Sequence, residues 1–252
     1  MSCVQTSPPG CAGASPNCPQ CDGCIPGVCP DFTIKRGDTQ PPFRVIVEDE
    51  NGPIDLTGLV IEANMWADAK LKSNITALDT SLALADNVGF CQILPNDIIL
   101  MNNVRSPEQM RITGFDEASS LVLVERGFNG TTPQAWKKGS AMRIFRIMNG
   151  PAMSELVYDN TTQVDGTVNC NVLEESILIY EWGVNDTCIP GCFHFEFKVL
   201  KMSGPVVIPS VTQLCFLGIG VEWTRRFPTC GDLLIKICDT PTTETFIQPS
   251  TT

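Results

Sequence analysis

The chain has 252 residues, 43% of them hydrophobic, which is enough to bury a substantial core in one elaborated domain or two small ones. Its 17 Lys and Arg against 28 Asp and Glu leave a net charge of -11 that repels phosphate backbones and anionic membrane surfaces, so no nucleic-acid partner is expected. No stretch approaches the roughly 18 to 20 uninterrupted apolar residues of a membrane span, and the opening MSCVQTSPPGC lacks the charged and apolar regions of a secretory signal, so the expectation is a soluble chain made in the cytosol without membrane insertion.

Residues 1–30 hold six of the 13 cysteines, namely Cys3, Cys11, Cys18, Cys21, Cys24 and Cys29, among Pro, Gly, Ser and Asn with almost nothing apolar. Such a stretch reads as an irregular arm, ordered only by crosslinks, metal or a partner. Thirteen thiols are many for a chain kept in a reducing cytosol. A protein made in a cell that works outside it resolves that tension.

From Asp31 the texture changes to β patterning. FTIKRGDTQPPFRVIVEDENGPIDLTGLVIEANMW alternates with period two between turn signals at Asn51-Gly52-Pro53 and Thr57-Gly58, and Val60 to Trp66 reads as a half-buried strand. Between Ala77 and about Met148, short apolar runs at Cys91 to Leu94, Ile98 to Met101, Gln109 to Ile112, Leu121 to Glu125 and Ala141 to Ile147 are spaced as in a small barrel or compact sandwich. After Gly150-Pro151, Met153 to Tyr158 suits one or two helical turns, and strands resume in SILIYEW, CFHFEFKVL, VVIPS and DLLIKICDT.

These residues carry a family likeness. FTIKRGDTQPPFRVIVEDENGPIDLTGLVIEANM, continued after an interruption by ILIYEWGVNDTCIPGCFHFEFKVL and VVIPS, resembles the N-terminal immunoglobulin-like domain of phage upper-baseplate and tail-fibre adaptor proteins. The shared points are Asp55-Leu56-Thr57-Gly58, Tyr180, Trp182, Asp186-Thr187, Gly191, Glu196-Phe197 and Pro209. Ser81 to Met148, with GFNGTTPQAWKKGSA, is similar to a separate module of phage structural proteins. The Cys-rich arm is not part of either pattern, and Cys230 and Cys238 are additions to the closing segment.

The resemblance implies an all-β chain: an immunoglobulin-like β-sandwich formed by residues 31–77 and 149–240, interrupted by a small inserted β-barrel or sandwich over 78–148, with the irregular Cys-rich arm at 1–30 and a tail at 241–252. It implies a structural virion protein, made in the host cytoplasm and carried in the tail or baseplate as a tail fibre or fibre adaptor. Other tail and baseplate proteins would be its partners, together with further copies of itself and, as a further candidate, a host-surface receptor. A capsid decoration or neck protein is the alternative.

Catalytic chemistry is poorly supplied, and no enzymatic activity or cofactor is expected. The single histidine, His194, alternates onto the face opposite Phe193, Phe195 and Phe197, where a solvated or edge-facing position is expected. Without a second histidine a catalytic triad or zinc site is hard to assemble. Arg36-Gly37-Asp38 reads as an entry turn, in which Gly allows the bend, rather than as an integrin ligand. Asn74, Asn129, Asn160 and Asn185 begin N-x-S/T sequences but read as turn residues.

Cys18, Cys21, Cys24 and Cys29 form C-x2-C-x2-C-x4-C-P, one residue longer in its last gap than a ferredoxin run and unlike the paired knuckles of structural zinc, so iron–sulfur or zinc ligation is a second alternative. Scattered thiols favour oxidative stapling instead. The candidates for disulfides or intermolecular crosslinks are the six arm cysteines with Cys188, Cys192, Cys230 and Cys238, ahead of Cys91 and Cys215, which read as buried. Cys188 and Cys192 flank Ile189-Pro190-Gly191 and could bridge if their Cα atoms approach to about 7 Å. An odd total leaves one cysteine for a partner chain.

Overall fold

Alternation in Gly191–Met202 directs Phe193, Phe195, Phe197 and Val199 to one side, and all four side chains are buried. The same two-residue period generates the rest of the molecule. The computed structural model describes residues 32–49, 51–85, 93–101, 106–158, 173–202, 221–227 and 233–238. Its strands are β1 (Phe32–Lys35), β2 (Phe43–Ile46), β3 (Glu48–Asp49), β4 (Gly52–Pro53), β5 (Val60–Lys70), β6 (Ser81–Leu82), β7 (Ile98–Met101), β8 (Glu108–Asp116), β9 (Leu121–Glu125), β10 (Ala141–Arg146), β11 (Ala152–Tyr158), β12 (Leu173–Tyr180), β13 (Gly191–Met202), β14 (Val221–Phe227) and β15 (Leu233–Cys238). The chain is all-β, as the alternation predicts.

A ten-stranded sheet runs β1-β15-β13-β5-β10-β7-β8-β9-β6, with β14 added to the far half of β13. A second sheet, β11-β12-β2, has three strands, and β3 and β4 form a short ribbon. The eleven-residue β5 joins the parts. Its residues Val60 to Trp66 pair with β13, while Met65 to Lys70 pair with β10, so the partner changes over at Met65 and Trp66. Beyond β5, Leu71 bridges Leu84 and Ile75 bridges Trp136.

One buried cluster extends along both halves of the sheet. On the β13 side, Phe43 and Tyr180 of the three-stranded sheet meet Phe195 at 5.0 and 5.7 Å between ring centroids, edge on, and Trp182 lies 6.1 Å from the same ring. The two sheets therefore face each other across an aromatic layer. On the β10 side, Ile99, Met101, Met110, Ile112, Val122, Val124, Met142 and Ile144 continue the same cluster.

Two expectations need correction. Met153 to Tyr158 is not helical: β11 pairs with β12 along its length, from Ala152 opposite Tyr180 to Tyr158 opposite Leu173. A stretch of six residues is too short for helical propensity to compete with a full ladder of cross-strand bonds. Nor is Val60 to Trp66 half-buried, because Ala63 and Met65 enter the core while Glu62, Asn64 and Trp66, on the other face, are also buried. The arm at 1–30, the VVIPS segment and the tail at 241–252 lie outside the described residues.

The continuous sheet predicts cooperative unfolding of both halves. Phe195→Ala should cost about 3–5 kcal/mol and Ile99→Ala about 2–5 kcal/mol. Each should move a single calorimetric transition, with calorimetric and van't Hoff enthalpies equal; two resolved transitions, each sensitive to one substitution, would show that β5 does not couple the halves.

Candidate functional site

The loop from β12 to β13 closes on a buried carboxylate. Asp186 accepts from the backbone N–H of Gly183 at 2.6 Å, of Asn149 at 2.9 Å and of Gly150 at 3.2 Å, and from the Tyr180 hydroxyl. The Tyr180 oxygen in turn accepts from Gly150 N–H at 2.9 Å. Burial, with the Asp186 carboxylate beside it, pushes the Tyr180 hydroxyl above its ordinary pKa, so it stays protonated and donates. The strands approach closely here: a Cβ on Gly150 would sit 1.7 Å from the carbonyl oxygen of Glu181. No other residue fits.

The same loop fastens the entry turn that follows β1. Gly37 takes a left-handed φ of 79° and its N–H donates to the Thr187 carbonyl at 3.0 Å. Thr187 Oγ1 donates to the Asp38 carbonyl at 2.8 Å, and Arg36 Nε donates to the Cys188 carbonyl at 2.8 Å. Trp182 Nε1 reaches the Pro41 carbonyl at 3.1 Å. Arg36-Gly37-Asp38 is thus held against the protein as a turn.

A second carboxylate organises the β6–β10 region. Glu108, fully buried at the start of β8, receives Arg126 Nε at 2.7 Å and Arg126 Nη2 at 2.9 Å, a bidentate pair, together with Trp136 Nε1 at 2.7 Å and Gln134 N–H at 3.0 Å. Arg126 also donates to the carbonyls of Thr76 at 2.7 Å, Asp79 at 2.9 Å and Gln134 at 2.6 Å. Burial pushes the Glu108 carboxyl up, but the hydrogen bonds from Arg126, Trp136 and Gln134 outweigh it and hold the group below its ordinary value. Next to this node Gly127, Asn129 and Gly130 have φ of 66°, 54° and 75°, and Asn129 Nδ2 donates to Gln109 Oε1 at 2.9 Å.

The third group lies on the sheet face away from the aromatic layer. Trp66 of β5 is covered by His194 of β13, stacked at 5.5 Å with 15° between planes, and by the Arg143 guanidinium 5.0 Å above its ring. Asp68 holds both covers, 3.5 Å from His194 Nε2 and 3.6 Å from Arg143 Nε. His194 therefore stands on an inner strand with about one third of its side chain exposed, so of the expected solvated or edge-facing position it keeps partial solvation but not the edge. Near the end of β10, Arg146 pairs with Asp97 at 3.3 Å in the interior and lies 5.3 Å over the Phe193 ring. Burial raises the Asp97 carboxyl despite that guanidinium.

Of the cysteines, Cys188 is buried at the end of the β12–β13 loop and Cys192 is half-buried in β13, and both are disulfide-bonded. Cys238 ends β15 opposite Lys35 of β1. Cys3, Cys11, Cys18, Cys21, Cys24, Cys29, Cys91, Cys215 and Cys230 lie outside the described residues. Asn74 accepts the Lys138 N–H at 2.7 Å, a turn role shared in kind by Asn129; Asn160 is outside the described residues. Among the described residues no group of three or more His, Cys, Asp or Glu could hold a metal ion. Tyr180, Trp182, Asp186 and Thr187 stood among the shared points of the family pattern, whereas Glu108, the first residue of β8, and Arg126, just after β9, were not singled out as a buried pair.

Two measurements test the nodes. Tyr180→Phe removes the donor to Asp186 and the acceptor for Gly150, and should cost about 1–3 kcal/mol in denaturant titrations. Glu108→Gln should cost about 3 kcal/mol at neutral pH, since it breaks a buried pair from one side. Because the folded Glu108 carboxyl lies below its ordinary 4.5, its contribution is full above that value and is lost as pH falls through the depressed one. The acid limb of stability below pH 4.5 should accordingly be shallower in Glu108→Gln than in the parent chain.

No family model matches the chain, and no curated protein does, so its function has to be argued from its own side chains.

Proposed function

We propose that this chain is a structural protein of a bacteriophage tail, a baseplate-attached fibre or fibre adaptor, which acts by binding other virion proteins and further copies of itself. The observation that carries this reading is what the motif residues do. Tyr180, Trp182, Asp186 and Thr187 fasten loops of one sandwich to each other, and Arg126, Gly127, Asn129 and Thr131 build the turn around Glu108. They bind the chain to itself. Residues shared for that reason report a scaffold, and a scaffold of two β units on one sheet presents its loops and edges as contact surfaces.

The acidic surface and the Cys-rich arm fit a particle component that matures outside the cell. Oxidised thiols among Cys3, Cys11, Cys18, Cys21, Cys24 and Cys29 then fasten the arm to a neighbour, since a segment with so little to bury gains most from a covalent anchor. The test is to purify phage particles encoding the chain, block free thiols, and separate the proteins on denaturing gels with and without reductant. Recovery of the chain with tails, as larger species that collapse to 27.4 kDa on reduction, is the expected result. Its absence from particles would overturn the reading; its presence there as a monomer in both lanes would overturn the anchoring alone.

A further inference from the structure

The entry turn and the β12–β13 loop are held together by a small set of bonds that all converge on the backbone just before Cys188. Thr187 accepts from Gly37 and donates to Asp38, and the Cys188 carbonyl accepts from Arg36. Four residues after Cys188, and already in β13, Cys192 sits in register with Lys236 of β15, the strand that also carries β1. The segment 188–192 therefore runs from the socket of the entry turn into β13, next to β15, the strand on which β1 is mounted. Both sulfurs are disulfide-bonded.

We propose that Cys188 and Cys192 are bonded to each other and that this bridge is a redox-sensitive clasp holding the root of the N-terminal arm. The inference stands on this loop and does not depend on the tail assignment. Closing the bridge fixes Ile189-Pro190-Gly191 in a tight turn, with Gly191 at a φ of 152°. That turn sets the direction of the Cys188 carbonyl and so the socket for Arg36. Opening it leaves the Asp186 node in place but frees the carbonyl, so Arg36 loses the partner that the bridge orients, and the turn is left with only the two bonds to the neighbouring Thr187.

The chemistry balances with a small-molecule disulfide as oxidant. The half-buried Cys192 thiolate attacks the oxidant and releases one thiol; Cys188 then attacks Cys192 Sγ of the mixed disulfide and releases the second. Two cysteine thiols are oxidised and one disulfide is reduced to two thiols. Burial of Cys188 makes the reverse reaction slow, because a reductant reaches only Cys192 and must expel a thiolate into the interior.

Lys35 and Arg36 supply a natural probe, since trypsin cleaves after both. The full chain is digested briefly in three forms: oxidised, reduced without denaturant, and oxidised Cys188→Ser/Cys192→Ser, with tryptophan fluorescence recorded to show that each remains folded. Cleavage at Lys35 and Arg36 should rise on the order of tenfold in the reduced chain and in the double variant, relative to cleavage elsewhere. The double variant separates this bridge from any disulfide of the arm. Equal rates in all three forms would overturn the clasp, as would a peptide map joining Cys188 or Cys192 to another cysteine. If the double variant does not fold, Cys192→Ala alone, at the half-buried position, replaces it, and a Gly37 amide that exchanges no faster there than in the oxidised parent overturns the clasp equally.

Discussion

Among the described residues, the two halves of the large sheet hang on one strand that both of them share. β5 hydrogen-bonds to β13 through its first seven residues and to β10 through its last six, sharing Met65 and Trp66. Because side chains alternate, one residue of slippage would turn Ala63, Met65, Ala67 and Ala69 out of the core and drive Glu62, Asn64, Asp68 and Lys70 into it. That penalty fixes the register along the whole strand, and with it the relation between the two halves. Small residues follow from the same constraint: Ala63, Ala67 and Ala69 leave room for Phe195, Phe197 and Ile144 on the strands beside them.

The two buried carboxylates are the complementary device for the loops. A loop cannot bury its backbone N–H groups without acceptors, and a carboxylate offers four lone-pair directions at once. Asp186 gathers three amides and a hydroxyl where the chain re-enters the sandwich; Glu108 gathers an arginine, an indole and an amide where the other half closes. At Glu108 the hydrogen bonds from Arg126, Trp136 and Gln134 outweigh desolvation and favour the ionised form. Truncating one member leaves several groups unsatisfied, so such networks specify a single loop conformation more than they add to stability.

The legibility of the sequence follows the range of the forces involved. β7 and β9 run over the same residues as their apolar runs, because a short continuous apolar run bounded by Asn96-Asp97 and Asn102-Asn103, or by Ser119-Ser120 and Arg126-Gly127, declares both ends locally. β11 was not legible, since Met-Ser-Glu-Leu satisfies a helix as well as a strand and only the β12 ladder chooses. The second buried face of β5 was hidden for a different reason: Glu62 and Asn64 are polar, and the residues beside them in register, Lys198 and Glu196 of β13, come from far along the chain. Asp186 and Tyr180 were visible as fixed points of a family pattern, but their mutual bond is a matter of three dimensions, as is the stack of His194 on Trp66.

That stack also indicates where contacts with other molecules can form. Trp66 has no exposed surface, although it lies on the face opposite the aromatic layer. Among the described residues its cover is made of Phe145, His194 and Arg143, with Asp68 pinning the last two. The cation over the indole contributes about 0.5–2 kcal/mol, and with the stacked imidazole it leaves a polar outer surface in place of an aromatic one. A flat apolar face would invite sheet-on-sheet aggregation; one closed by its own side chains does not. On the proposed reading, association falls to the loops and the strand edges, where backbone groups are available for pairing.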